Sequence, residues 1–196
     1  MYDIPTSITV NDTEYCITNK GDYRVIIACL EALDDTNLTK QERLFASLII
    51  FYEDINSIMD IVYLDNDVLE SLIKEMFAFI NCGQTESPGA KTNYKLINWE
   101  QDSQLICSAI NKVANFEIRA IPYLHWWTFM GYYLAVGESA LSTVVGIRHK
   151  MVTGKKLEKY ENTFVQDNPQ YFNVDLSSTE QRELDELANL LWKESR

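Results

Sequence analysis

The stretch LHWWTFMGYYLAVGESALSTVVGIRHKM, Leu124 to Met151, constrains this chain more than any other. Trp126, Phe129, Met130 and Tyr133 fall at i, i+3, i+4 and i+7, the spacing of one helix face. Trp127, Gly131 and Leu134 form a stripe beside it. Together they make a wide apolar arc, which calls for burial on two sides and therefore for packing among other helices. Pro122 is acceptable in a first turn because its missing N–H has no partner there, so this helix is expected to open near Pro122 and to end near Gly137. Gly131 and Gly137 are expected to permit close helix approach. A second helix is expected from Ser139 to Val152, ended by Gly154. On it Leu141, Val144, Val145 and Arg148 share a face, which carries the guanidinium toward the core. A buried Arg must be paired, and Asp102 or Glu138 is the expected partner.

The remaining pattern is also helical. Ile8 and Val10, a polar NDTE turn, then Tyr15 and Ile17 read as a short hairpin. Asp22 caps a helix bearing Val25, Ile26, Cys29, Leu30 and Leu33. Thr39 with Glu42 forms a capping box before Leu44, Leu48, Phe51 and Ile55. A third helix begins near Asp67 and carries Leu69, Leu72, Ile73, Met76, Phe77 and Ile80. Leu105, Ile106, Ala109, Ile110 and Val113 mark another from about Glu100 to Asn115. Residues 155–166 read as a charged helix, followed by a break at Pro169. The last helix is capped by Ser177 or Ser178 and carries Leu184, Leu187, Leu190 and Leu191. The expected fold is mainly α, a compact multi-helix domain with a short N-terminal β-hairpin. The expected organisation is an acidic helical subdomain with the hairpin over 1–82, a linker or exposed loop over 83–93, an aromatic-rich helical subdomain over 94–168, and a C-terminal loop and helix over 169–196. Two subdomains, or one domain with a long loop, fit this pattern equally.

Charge and chemistry exclude several functions. Hydrophobic residues make up 46% of the 196 and aromatics 12%, enough for a real core. The net charge is −12, so phosphate neutralisation over the whole surface is not expected, and neither is nucleic-acid binding. Residues 1–82 hold 15 acids against 5 bases, whereas residues 148–165 hold 2 acids against 5 bases. No apolar run approaches the ~18 residues of a membrane span, and no basic start followed by an apolar run marks a secretory signal. Cys16, Cys29, Cys82 and Cys107 are widely spaced and are expected to be free thiols. His125 and His149 have no Cys nearby and lack the short ligand spacing of a zinc site. Ser139 in GESALS lacks the glycines of a nucleophile elbow. Gly146 and Gly154 with Lys156 do not make a phosphate loop. No catalytic group, metal or cofactor is expected. Trp99, Trp126, Trp127, Phe129 and Tyr133 are assigned to the core. Arg148, Lys150, Lys155, Lys156 and Lys159 form a basic cluster, either a solvated face or a protein contact, including one with the acidic front half of another copy. Leu184, Leu187 and Leu191 form a stripe that either binds a partner or closes the monomer core.

The motifs NWEQDSQLICSAI and LHWWTFMGYYLAVGESALSTVVGIR resemble the bacteriophage Gp15 family of Gram-positive tailed phages and prophages. The matching positions are Trp99, Asp102, Ile106, His125, Trp126, Trp127, Phe129, Ile147 and Arg148, and the resemblance covers residues 94–165 well. It implies a tail assembly chaperone of long-tailed phages rather than an enzyme. Such a protein self-associates, binds the tape measure protein, recruits tail tube subunits, works in the host cytoplasm, and is absent from the finished virion. A structural tail or connector subunit of the virion is the alternative from another class, and a small enzyme or nucleic-acid regulator using the Arg148 to Lys159 cluster is a third reading. Within the implied function, the basic cluster is assigned to contact between copies and the Leu184, Leu187, Leu191 stripe to the client.

Overall fold

A computed structural model describes residues 3–84 and 96–172. The architecture is mainly α, with two strands and eight α-helices among the described residues. They fall into two units. One holds residues 3–84 together with Tyr123–Met130; the other holds residues 96–122 and 131–172. The segment Tyr123–Met130, which sequence places with the back half, thus groups with the front half.

The first unit opens with β1 (Ser7–Val10) and β2 (Thr13–Cys16), an antiparallel pair in which Val10 faces Thr13. Asn11 and Asp12 turn the chain with φ of 48° and 61°. Two consecutive left-handed residues suit the right-handed twist of a two-residue hairpin, and Asn and Asp tolerate that region best after glycine. A 3-10 turn over Thr18–Gly21 leads to α1 (Tyr23–Asp34), whose first turn is capped by the Asp22 carboxylate accepting the Arg24 N–H at 3.0 Å. The Thr39–Glu42 capping box opens α2 (Lys40–Phe51), with both reciprocal bonds formed. Where α1 meets α2, the Ser47 hydroxyl donates to the Cys29 carbonyl at 3.1 Å, and both residues are buried. Burial also pushes the Cys29 thiol up to about 12, which leaves it protonated and inert. All four cysteines are free.

A short helix, α3 (Ile58–Val62), escapes sequence reading because five residues cannot show a helical period. It is followed by α4 (Asn66–Ile80), whose buried face is Leu72, Ile73, Met76 and Phe79. The Tyr52 hydroxyl, buried at the end of α2, donates to the Leu72 carbonyl of α4 at 2.8 Å. Of the loop expected over 83–93, only Gly83 and Gln84 lie within the described residues.

The second unit contains α5 (Ser103–Ala114), α7 (Ala140–Val152), α8 (Lys159–Asp167) and a 3-10 turn at Pro169–Tyr171. Asn115 ends α5 in the left-handed region at φ 60°. Ser139 caps α7, and Gly154 ends the following turn at φ 67°. The core gathers Val144, Ile147 and Phe172, with Leu105, Leu157, Phe164, Val165 and Tyr171 packed against them.

The aromatic helix α6 spans Trp126–Leu134 and is shorter than expected at both ends. It does not open near Pro122, because the Leu124 backbone is occupied elsewhere. Its carbonyl accepts the Tyr23 N–H at 2.9 Å, and its N–H donates to the Asp22 carboxylate at 2.9 Å. Nor does burial extend over the whole arc: Trp126 and Phe129 are 1% exposed, but Leu134 is 69% exposed. Among the described residues, a Cβ placed on Gly131 or Gly137 would meet nothing within 4 Å, so neither glycine serves close approach there. The last helix expected after Ser177 or Ser178 lies outside the described residues.

Candidate functional site

Two clusters collect the unusual side chains, one in each unit. The first is built from HWW, residues His125 to Trp127. An α-helix leaves its last four carbonyls and first four N–H groups without internal partners. At the end of α4 the Trp126 indole N–H donates to the Ile80 carbonyl at 2.8 Å. The Trp127 indole N–H donates to the Phe79 carbonyl at 2.9 Å. Two adjacent tryptophans thus close the C-terminus of a helix more than 40 residues earlier in the chain. His125 does the reciprocal task at the start of α6. Its carbonyl accepts the Phe129 N–H at 3.0 Å, and its Nδ1 accepts the Trp127 N–H at 3.1 Å. This is the bonding of an N-cap residue, with an imidazole in place of the usual hydroxyl or carboxylate.

The tautomer of His125 follows from its partners. The Pro5 carbonyl, 2.9 Å from Nε2, can only accept, so Nε2 carries the proton and Nδ1 the lone pair. Burial holds the imidazole below its ordinary value, with the Pro5 carbonyl and the Asp22 carboxylate acting weakly the other way. Protonating Nδ1 would point a donor at the Trp127 donor and break the cap. A base whose folded pKa is depressed gives stability that is present above its unfolded value and lost as pH falls toward the folded one. Melting temperature is therefore expected to fall as pH drops below about 6.5, before carboxylates with ordinary values near 4 begin to protonate. His125→Asn keeps a capping acceptor and removes the titration, so scanning calorimetry of this variant should lose the slope that begins below about pH 6.5. An unchanged slope would assign it to another group.

Around HWW the aromatic rings interlock. Tyr23 stacks on Phe129 at 4.6 Å, and Trp126 stacks on Phe129 at 5.5 Å. Phe79 meets His125 edge-on at 5.4 Å. Gly21 completes the arrangement at φ 75°, where a Cβ would come within 2.7 Å of the Phe79 ring and 3.2 Å of His125 Nε2. Backbone conformation and space both demand glycine there.

The second cluster centres on Arg148, which is fully buried. Its partner is Asp102, in a two-point pair: Nη1 to Oδ2 at 2.6 Å and Nη2 to Oδ1 at 2.9 Å. The other guanidinium protons go to backbone carbonyls. Nη1 donates to Leu96 at 2.9 Å, Nε to Tyr171 at 2.9 Å and Nη2 to Tyr171 at 2.6 Å. All five N–H donors of the guanidinium are thereby used. Asp102 additionally accepts the Asn98 N–H at 2.9 Å. Glu138, the other expected partner, offers only its backbone carbonyl, which accepts from Lys112 Nζ at 3.3 Å.

These geometries correct the basic cluster. Arg148 cannot belong to a surface contact, because its charge is spent inside the unit. Lys150 is bonded to Glu161 at 2.6 Å. Lys155, Lys156 and Lys159 are exposed and make no ion pair among the described residues. Of the aromatic residues assigned to the core, Trp126 and Phe129 are buried, whereas Trp127, Trp99 and Tyr133 are half-buried. Trp99 and Tyr133 pack together at 5.8 Å. Leu184, Leu187 and Leu191 lie outside the described residues. No group of three or more His, Cys, Asp or Glu could hold a metal among the described residues, and no helix there is long and apolar enough to cross a membrane.

Both clusters bond inward. The family model described as Bacteriophage Gp15 protein matches residues 1–173, and the chain belongs to that family. No curated protein and no solved structure gives a significant match.

Proposed function

We propose that this phage protein is a tail assembly chaperone, a binding protein rather than an enzyme, which self-associates and binds the tape measure protein during tail morphogenesis. Membership of the phage family carries the reading. The inward use of the HWW and Arg148 side chains supports it: HWW caps two helices and Arg148 ties three segments, so these residues build a scaffold and leave the surface for partners. On this reading the chain works in the host cytoplasm, contacts the tail tube protein in passing, and is left out of the mature particle. Co-expression with the tape measure protein tests it. The soluble fraction of that protein is expected to rise several-fold and the two to co-purify. Unchanged solubility, or abundant copies of this chain in purified virions, would instead favour a structural tail or connector subunit.

A further inference from the structure

The short helix α3 is unlike any other among the described residues. Ile61 anchors it at 1% exposure, while Ile58, Met59, Val62 and the adjoining Tyr63 are 53%, 52%, 59% and 79% exposed. The Ser57 cap and the Asp60 carboxylate, which accepts the Asn56 N–H at 2.9 Å, hold this turn in shape without covering it. Between Leu44 and Ile73 the chain carries six acids, Glu53, Asp54, Asp60, Asp65, Asp67 and Glu70, and no Lys or Arg. The first five are exposed. An apolar centre inside an acidic rim has the composition of a protein contact, and its partner must bring apolar side chains within a basic rim.

The chain carries such a surface itself. At the corner from α7 to α8, Met151 and Tyr160 are 41% and 68% exposed. Lys155, Lys156 and Lys159 lie between and beside them, exposed and without an ion pair among the described residues. Glu158 is the one exposed acid over residues 148–161. Arg148 and Lys150 are already engaged within their own unit, so at this corner these three lysines are the cations left for a partner.

We propose that α3 of one copy docks on the α7–α8 corner of a second copy, burying Ile58, Met59, Val62 and Tyr63 against Met151 and Tyr160 with acids facing lysines. The two surfaces differ, so the contact is heterologous, and each bound copy still offers one open face for the next. The proposal deepens the self-association in the chaperone reading and rests on that part of it; the client plays no role in it.

Sedimentation velocity of the full-length chain over a concentration series tests it. Average mass is expected to climb with concentration, and association to weaken at least tenfold between about 0.05 M and about 0.5 M salt as the charges are screened. Met59→Glu with Tyr63→Glu disables one face; Lys155→Glu, Lys156→Glu and Lys159→Glu together disable the other. All five positions are exposed, and circular dichroism verifies that helicity is kept. Each variant alone should associate at least tenfold more weakly than the natural chain. Mixed, they should form a one-to-one dimer and stop there, because each retains the face that the other lacks. A natural chain that stays monomeric throughout overturns the contact. A lysine variant that associates like the natural chain, or a mixture that yields no dimer, also overturns it. Tape-measure solubility is read separately. A monomeric chain that still solubilises the tape measure protein overturns this contact alone, and a self-associating chain that fails to do so overturns the chaperone reading alone.

Discussion

Asp102→Ala is expected to lower the stability of the protein by about 3–5 kcal/mol, the usual cost of stripping one partner from a buried ion pair. The Arg148 side chain is 0% exposed, so its charge has no route to water when the carboxylate is gone. Two of its donors lose their acceptor, and the Asn98 N–H loses the Asp102 oxygen it bonds. Arg148→Met leaves the opposite charge stranded and is expected to cost a similar amount. It also frees the Leu96 and Tyr171 carbonyls, which removes the tie between α7 and the segment around Phe172. Arg148→Lys should recover little, because three donors on one nitrogen cannot reproduce the five-donor fork. The double change Asp102→Leu with Arg148→Met should be less destabilising than either single loss, since it leaves no buried charge. Urea denaturation followed by circular dichroism measures all four. Single variants within about 1 kcal/mol of the natural chain would mean that water reaches the pair.

Arg148 also shows how much a sequence can disclose. Its place on an apolar face, three and four residues from Val145 and Val144, marks it as buried, and burial demands a counter-charge. That reasoning leads to Asp102 and Glu138 as candidates. Geometry then chooses Asp102, beside the first turn of α5, where both oxygens can face the fork. The backbone carbonyls of Leu96 and Tyr171 were beyond reach, since every residue has a carbonyl and none carries a sequence signal. The same limit hid the roles of HWW. Helical spacing correctly places Trp126 and Phe129 in a core, but spacing says nothing about where an indole N–H points. Its bond to the end of α4 joins positions 46 residues apart, and only the folded chain brings them together. His125 as an N-cap was hidden for a different reason: capping is sought in Ser, Thr, Asp and Asn, and an imidazole does the same work only when a second partner fixes its tautomer. By contrast, the Thr39–Glu42 capping box and the hairpin turn were legible because their bonds are local. The α3 surface was not legible, because a short apolar run reads as core until burial is known.

Trp126→Ala should cost about 3–5 kcal/mol, the range for deleting a large buried aromatic ring, and should cost clearly more than Trp127→Ala. Trp126 is 1% exposed and stacked on Phe129 at 15° between ring planes, so its removal opens a cavity beneath the Tyr23–Phe129 stack. It also takes away the indole donor that closes the Ile80 carbonyl. Trp127 is half-buried, and the Phe79 carbonyl it caps also accepts the Cys82 N–H at 2.9 Å, so a second donor remains when its indole is lost. Trp126→Phe separates the two contributions: most of the packing survives, and the loss should shrink to about 1–3 kcal/mol, the cost of leaving one buried polar group unpaired. Thermal and urea unfolding supply the values, and co-expression with the tape measure protein supplies the functional readout. If the tryptophans serve the scaffold, client solubility should track the folded fraction across all three variants. On the proposed chaperone reading, a Trp126→Ala protein that keeps its helicity and melting temperature yet no longer raises tape-measure solubility would make the indole a contact residue, and would move the HWW motif from the core of the protein to its working surface.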